Sequence, residues 1–118
     1  MQKFEYAGAQ GEVNSYRIDA VPEGCTPVQA ENGLLIVGHS ESGHHHGFRD
    51  DGSVTLLERT KDVPAGMRIL YAIIEAPSEL MHDAGGAHEG LLHEPGIYEL
   101  RISREYNPFL EEARRVKD

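Results

Sequence analysis

Apolar residues along this chain fall in short runs punctuated by thirteen glycines and six prolines. That spacing favours many brief strands over a few long helices. It predicts strands at 13–18, 34–38, 44–49, 54–59, 68–75 and 97–103. The clearest is the last: Tyr98, Leu100 and Ile102 alternate with Glu99, Arg101 and Ser103, the pattern of a strand with one buried and one wet face. Pro95-Gly96 supplies a turn before it. Asp50-Asp51-Gly52-Ser53 offers the positive φ that tight hairpins need, so the strands on either side of it are expected to pair with each other. Residues 19–33, with Pro22, Gly24, Pro27 and Gly33, read as an irregular connection, and Gly85-Gly86 marks a second loop. Near the end, Asn107 caps a short helix starting at Pro108, with Phe109, Ala113 and Val116 on one face.

The pattern therefore predicts an all-β, mainly antiparallel fold, a small barrel or sandwich ending in a short C-terminal helix. At 118 residues the chain suits one domain, because two cores would each be too small. Its 39% hydrophobic and 26% charged residues are an ordinary globular composition.

Charge and cysteine narrow the function. Twenty acidic residues against eleven basic ones give a net charge of −9, which repels a phosphate backbone, so no nucleic-acid partner is expected. The basic residues near the end, Arg101, Arg104, Arg114, Arg115 and Lys117, are interleaved with glutamates and read as a solvated, ion-paired surface. A single cysteine, Cys25, excludes an intrachain disulfide and fits a reducing compartment. No apolar run reaches the ~18 residues of a membrane span, and the first residues lack a signal-peptide profile. A cytoplasmic protein without a membrane partner is expected, and small β domains with free sheet edges often form homodimers.

The chemistry lies in the histidines. All seven occupy two windows: His39, His44, His45 and His46, then His82, His88 and His93. Neutral imidazole is the common nitrogen ligand of transition metals, and a site needs three or four donors from separated segments. On a strand over 44–49 the period of two puts His44 and His46 on one face and His45 on the other. Gly43 and Gly47 beside them permit close backbone packing. His82 and His88 bracket a glycine-containing loop that can bring both rings to one ion. The expected metal ligands are His44, His46, His82 and His88, with His39, His45 and His93 in reserve as surface or substitute residues. Glu41, Asp50, Asp83 and Glu89 are carboxylates able to complete or orient such a site. A nitrogen-and-oxygen donor set without thiolates suits zinc, iron, nickel or manganese, not a cysteine-rich structural zinc site.

A serine-hydrolase elbow is excluded. Gly38-His39-Ser40-Glu41-Ser42-Gly43 misses the G-x-S-x-G pattern by one residue, and the α/β scaffold that carries it needs a far longer chain.

The spacing from Gly38 to His44-His45-His46 resembles the G-x5-H-x-H opening of the first cupin motif. Asp50 or Asp51 stands where that motif has glutamate, and Pro64-Ala65-Gly66 and Pro95-Gly96 are loose counterparts of the second motif. A wider resemblance, over residues 34–118, is to small uncharacterised bacterial and phage proteins. It rests on Gly43-His44-His45-His46, the His82 and His88 pair, Pro95-Gly96-Ile97-Tyr98 and Arg104-Glu105-Tyr106. These resemblances imply a cupin-like β fold with a histidine cluster. The function expected is a small metal-binding protein that acts on a small-molecule ligand. The rival is a non-catalytic structural or interaction protein of phage or mobile-element origin, whose histidines pack a fold or an interface.

Overall fold

A computed structural model describes residues 5–10, 13–39, 45–82 and 90–103, and all regular structure among them is β-strand. The strands are β1 (Glu5–Gln10), β2 (Val13–Ile18), β3 (Thr26–Pro27), β4 (Leu34–His39), β5 (His45–Arg49), β6 (Val54–Glu58), β7 (Met67–Ile74), β8 (Ser78–His82), β9 (Leu91–His93) and β10 (Gly96–Ser103). They form a six-stranded sheet in the order β1-β2-β10-β7-β6-β3 and a four-stranded sheet in the order β4-β5-β8-β9. Every pairing is antiparallel. Each sheet keeps two edges, so of the two expected forms it is the sandwich, not the closed barrel, that the chain adopts. The helix expected from Asn107 lies outside the described residues.

Alternation builds the core. Val13 of β2, Leu56 of β6, Leu70 and Ala72 of β7, and Tyr98, Leu100 and Ile102 of β10 meet Leu35 and Val37 of β4, Phe48 of β5 and Leu80 of β8 in one cluster. β7 departs from alternation because it is covered on both sides. Its Ile69 and Tyr71 join Ile18 in a second cluster with Val21, Cys25, Leu57, Val63 and Ile97, on the outer face of the six-stranded sheet. The irregular segments around Val21 and Val63 thus roof part of that face.

Two expectations are corrected. The strands flanking Asp50–Ser53 do not pair with each other: β5 pairs with β4 and β8, while β6 pairs with β7 and β3. The local turn chemistry is as read, with Gly52 at φ 89° and the Asp51 carboxylate accepting the Ser53 N–H at 2.9 Å. This turn, however, carries the chain from one sheet to the other. The second correction concerns β10, whose outward face is not wet at Glu99. That residue is only 4% exposed, held by Tyr71 and Arg101 (below).

The connection over residues 19–33 is irregular apart from β3 and a tight turn. Asn32 and Gly33, at φ 52° and 77°, reverse the chain with reciprocal backbone hydrogen bonds between Glu31 and Leu34 of 2.8 and 3.0 Å. That is the positive-φ pair an Asn-Gly hairpin turn requires.

Candidate metal-binding pole

One end of the sandwich gathers histidines through strand register. In the β4–β5 ladder Ile36 faces Gly47, the register skips Val37, and then Gly38 faces His46 and His39 faces His45. The skipped residue is a β-bulge, which turns Val37 and Gly38 both toward the facing sheet. Val37 is fully buried in the main core, and a Cβ on Gly38 would lie 3.3 Å from Ile102 Cγ2 of β10. In the β5–β8 ladder His46 faces His82 and Gly47 faces Met81.

His46 is 4% exposed, and its register opposite Gly38 puts it on the inner face, in step with Phe48. His82 is the ladder partner directly opposite His46, and His39 is the partner of His45 one residue along. The structure thus brings together two of the four expected ligands, His46 and His82, which are far apart in the chain. His44 and His88 lie outside the described residues, as do Glu41, Asp83, Glu89, Ser40 and Ser42. Among the described residues no group of three or more His, Cys, Asp or Glu side chains converges as a metal cage.

The glycine expected to allow close packing here does so. A Cβ on Gly47 would sit 2.6 Å from the Leu35 carbonyl oxygen and 2.9 Å from Leu34 Cγ, so only glycine lets β4 and β5 close beside His46. Arg68 of β7 fastens the same end. Its Nη1 donates to the Val37 carbonyl at 2.8 Å, and its Nε and Nη2 donate to the two Glu58 carboxylate oxygens at 3.1 and 3.0 Å. With all three nitrogens engaged, this guanidinium is a clamp between sheets.

His93 is a core residue, neither the surface residue nor the spare ligand that the sequence suggests. It is 1% exposed, with Phe48 and Tyr98 edge-on at ring-centroid distances of 5.3 and 4.7 Å. Its Nδ1 lies 3.0 Å from the Leu91 carbonyl oxygen and its Nε2 2.8 Å from Ser15 Oγ. A carbonyl only accepts, so Nδ1 carries the proton and Nε2 accepts the Ser15 hydroxyl. Burial, the larger effect, lowers the His93 pKa against the raising effect of the Leu91 hydrogen bond. The ring is a neutral bolt from β9 to β2.

On the outer face of the six-stranded sheet, sequence reasoning missed a buried carboxylate. The ladders align Tyr6, Tyr16, Glu99 and Tyr71 in one row across β1, β2, β10 and β7. Tyr71 Oη donates to Glu99 Oε1 at 3.0 Å, and Arg101 Nε donates to Oε2 at 2.6 Å. The Arg101 guanidinium also lies 4.3 Å from the Tyr16 ring centroid. Burial first and then the Glu99 charge push the Tyr71 pKa up to about 12. The only sequence signal was a glutamate and an arginine on the outward side of a strand, which surface strands also show. Cys25 Sγ lies 3.4 Å from the Pro22 carbonyl oxygen, and burial raises its pKa, so it is no activated thiolate.

Among the described residues no helix is long and apolar enough to cross a membrane. No curated protein and no solved structure matches the chain. Residues 9–103 match the family described as Domain of unknown function (DUF8820), which spans β2 to β10 and both histidine pairs, and the chain belongs to that family.

Proposed function

We propose that this protein binds a divalent transition metal at the pole formed by the ends of β4, β5 and β8, through His46 and His82 with His44 and His88 completing the donor set. The observation that carries the reading is the direct opposition of His46 and His82 in the β5–β8 ladder. Directly opposed residues of antiparallel strands have Cβ atoms about 4.5–5.5 Å apart. That separation lets two imidazoles converge on one ion at metal–nitrogen distances of about 2.0–2.1 Å. His44 stands one strand period before His46, and His88 follows His82 closely in sequence. Zinc held tetrahedrally by all four rings would be closed and structural. Iron, nickel or manganese at higher coordination keeps a position for a small molecule. The single, unactivated cysteine is in keeping with a cytoplasmic setting.

Elemental analysis of protein purified without chelator or metal-affinity steps is the test. We expect stoichiometric transition metal in the wild type and its loss in His46→Ala and in His82→Ala, with circular dichroism verifying that each variant is folded. Unchanged metal content in both folded variants, or a metal-free wild type whose melting temperature ignores both chelator and added metal, overturns the assignment.

A further inference from the structure

The ladder between β5 and β8 joins His46 with His82 and Gly47 with Met81, and it ends there. Beyond it the strands part. Phe48 and Arg49 pair with Leu35 and Leu34 of β4, while Leu80, Glu79 and Ser78 pair with Leu91, Leu92 and His93 of β9. The turn draws β5 away: the Asp51 N–H closes back on the Arg49 carbonyl at 3.0 Å, and the Asp50 N–H donates to the Gly33 carbonyl at 2.9 Å. On the other side Pro77, which has no N–H, precedes β8. The gap is a cleft of 270 Å³ lined by Arg49, Asp51, Pro77, Ser78, Glu79 and Met81. Phe48 and Leu80 enter the core, so alternation puts Arg49, Glu79 and Met81 on the outer face of the four-stranded sheet, across the backbone from His46.

The charges in this cleft differ from the others on the sandwich. Arg17, Arg59, Arg68 and Arg101 each donate to a carbonyl or a carboxylate. Among the described residues neither the Arg49 guanidinium nor the Glu79 carboxylate has a hydrogen bond or an ion pair. Asp51 is held as a carboxylate by the N–H and hydroxyl of Ser53, with the Arg49 charge adding to the effect. One guanidinium and two carboxylates therefore line one small opening, beside the apolar Met81 and Pro77. We propose that this cleft binds a free α-amino acid: Arg49 takes the carboxylate, Glu79 and Asp51 the ammonium, and Met81 and Pro77 the side chain. A guanidinium matches a carboxylate because it offers two parallel N–H donors. Two carboxylates against one guanidinium disfavour dicarboxylates and phosphate esters, which meet more repulsion than attraction. The cleft is smaller than the roughly 300–1,000 Å³ of drug-sized pockets, which restricts it to a ligand of this scale. The site is independent of the metal reading, since none of its six residues is a histidine.

An NMR titration of isotope-labelled protein with L-leucine in the presence of EDTA tests the site, the chelator removing any signal from amino-acid coordination to a metal. The expected result is saturable shifts at the amides of residues 49–51 and 78–81, around the cleft. Affinity should fall about tenfold or more for 4-methylpentanoate, which lacks the ammonium, and for 3-methylbutylamine, which lacks the carboxylate. Arg49→Gln and Glu79→Gln should each weaken L-leucine binding to a similar extent. Both side chains are exposed, so the fold should tolerate these changes, and the two analogues test the wild type in any case. No saturable shift with L-leucine, L-methionine or L-ornithine up to about 10 mM overturns the proposal. Equal affinity for either analogue overturns it by removing one of the two charge contacts. Binding that survives both substitutions, or that shifts residues away from the cleft, overturns it as well. L-leucine binding seen only without EDTA places the amino acid on a metal and overturns the cleft while leaving the metal site standing.

Discussion

Ser15→Ala isolates the inter-sheet bolt. Ser15 and His93 are 0% and 1% exposed, so no solvent stands ready to replace the lost hydroxyl at Nε2. The Nδ1 proton is committed to the Leu91 carbonyl, which leaves Nε2 a bare acceptor in the core. An unsatisfied buried acceptor costs about 1–3 kcal/mol. A loss of about 2 kcal/mol lowers the melting temperature by roughly 8 °C in a domain of this size. His93→Phe fits the aromatic surroundings of Phe48 and Tyr98 but strands the Ser15 hydroxyl, at a comparable cost. Replacing both partners removes the unmet groups together, so the double variant should be less destabilised than the sum, with a coupling of about 1 kcal/mol or more in urea denaturation. The pH dependence follows from the lowered pKa of His93. The unfolded chain takes up a proton near 6.5, whereas the folded chain takes it up only at lower pH. The ring's contribution is therefore full above the unfolded value. Below it, stability falls by up to about 1.4 kcal/mol per pH unit until the folded pKa is reached. The stability difference between wild type and His93→Phe should accordingly shrink as pH drops from 7 to 5. An additive cycle, a Ser15→Ala cost below about 0.5 kcal/mol, or a pH-independent difference would refute the bolt.

Three further outcomes follow from the packing. Gly47→Ala drives a Cβ onto the Leu35 carbonyl oxygen, a backbone atom that cannot rotate away, and should cost about 1–3 kcal/mol in urea denaturation; a neutral result would mean that β4 and β5 are not in close contact there. Glu99→Gln removes the charge that adds to burial at Tyr71, so the high-pH phase of the phenol absorbance titration, identified by its absence in Tyr71→Phe, should move down from about 12 but stay above the ordinary tyrosine value, and an unmoved phase would discount the carboxylate. Arg68→Met leaves the Val37 carbonyl without its donor. The Glu58 end is partly solvated, with 35% side-chain exposure, and its charge is screened, so the loss should be about 1 kcal/mol and nearly insensitive to salt.

Six of the ten strands are legible in the chain: five carry enough inward-facing apolar residues to mark a period, and β5, whose one apolar residue is Phe48, is marked by the turn that follows it. The other four lack that mark for identifiable reasons. β1 is an edge strand whose run Glu5-Tyr6-Ala7-Gly8-Ala9-Gln10 has little to bury, and its Gly8 tucks against Leu91, where a Cβ would meet Leu91 Cδ1 at 2.9 Å. β3 is two residues long and includes Pro27, which is tolerated because it lies at the sheet edge. β8 commits only Leu80 to the main core cluster. β9 points Leu92 outward, 58% exposed, and buries His93 in its place, which inverts the expected polarity. The histidine windows were visible, but the role of His93 was not. His93 reads as a spare ligand until Ser15, distant in sequence, is seen to occupy its second nitrogen.

The opposition of His46 and His82 depends on the same feature that defeated the hairpin expectation. Had the chain reversed at residues 50–53 within one sheet, Arg49 would have paired with Val54 and, three residues back, His46 with Leu57. Instead the turn hands the chain to the six-stranded sheet, where β6 and β7 pair with each other and Leu57 faces Tyr71. That leaves the second edge of β5 open for β8, whose register then sets His82 against His46. Local turn chemistry is identical in the two cases, so residues 50–53 cannot decide between them. What decides is burial: Leu56 of β6 is 2% exposed in the core between the sheets, and its neighbour Leu57 packs with the cluster on the outer side. A strand apolar on both sides needs cover on both faces, which the six-stranded sheet supplies with the opposite sheet on one side and the Val21 and Val63 segments on the other. The histidine pair is thus a consequence of where Leu56 and Leu57 can be buried.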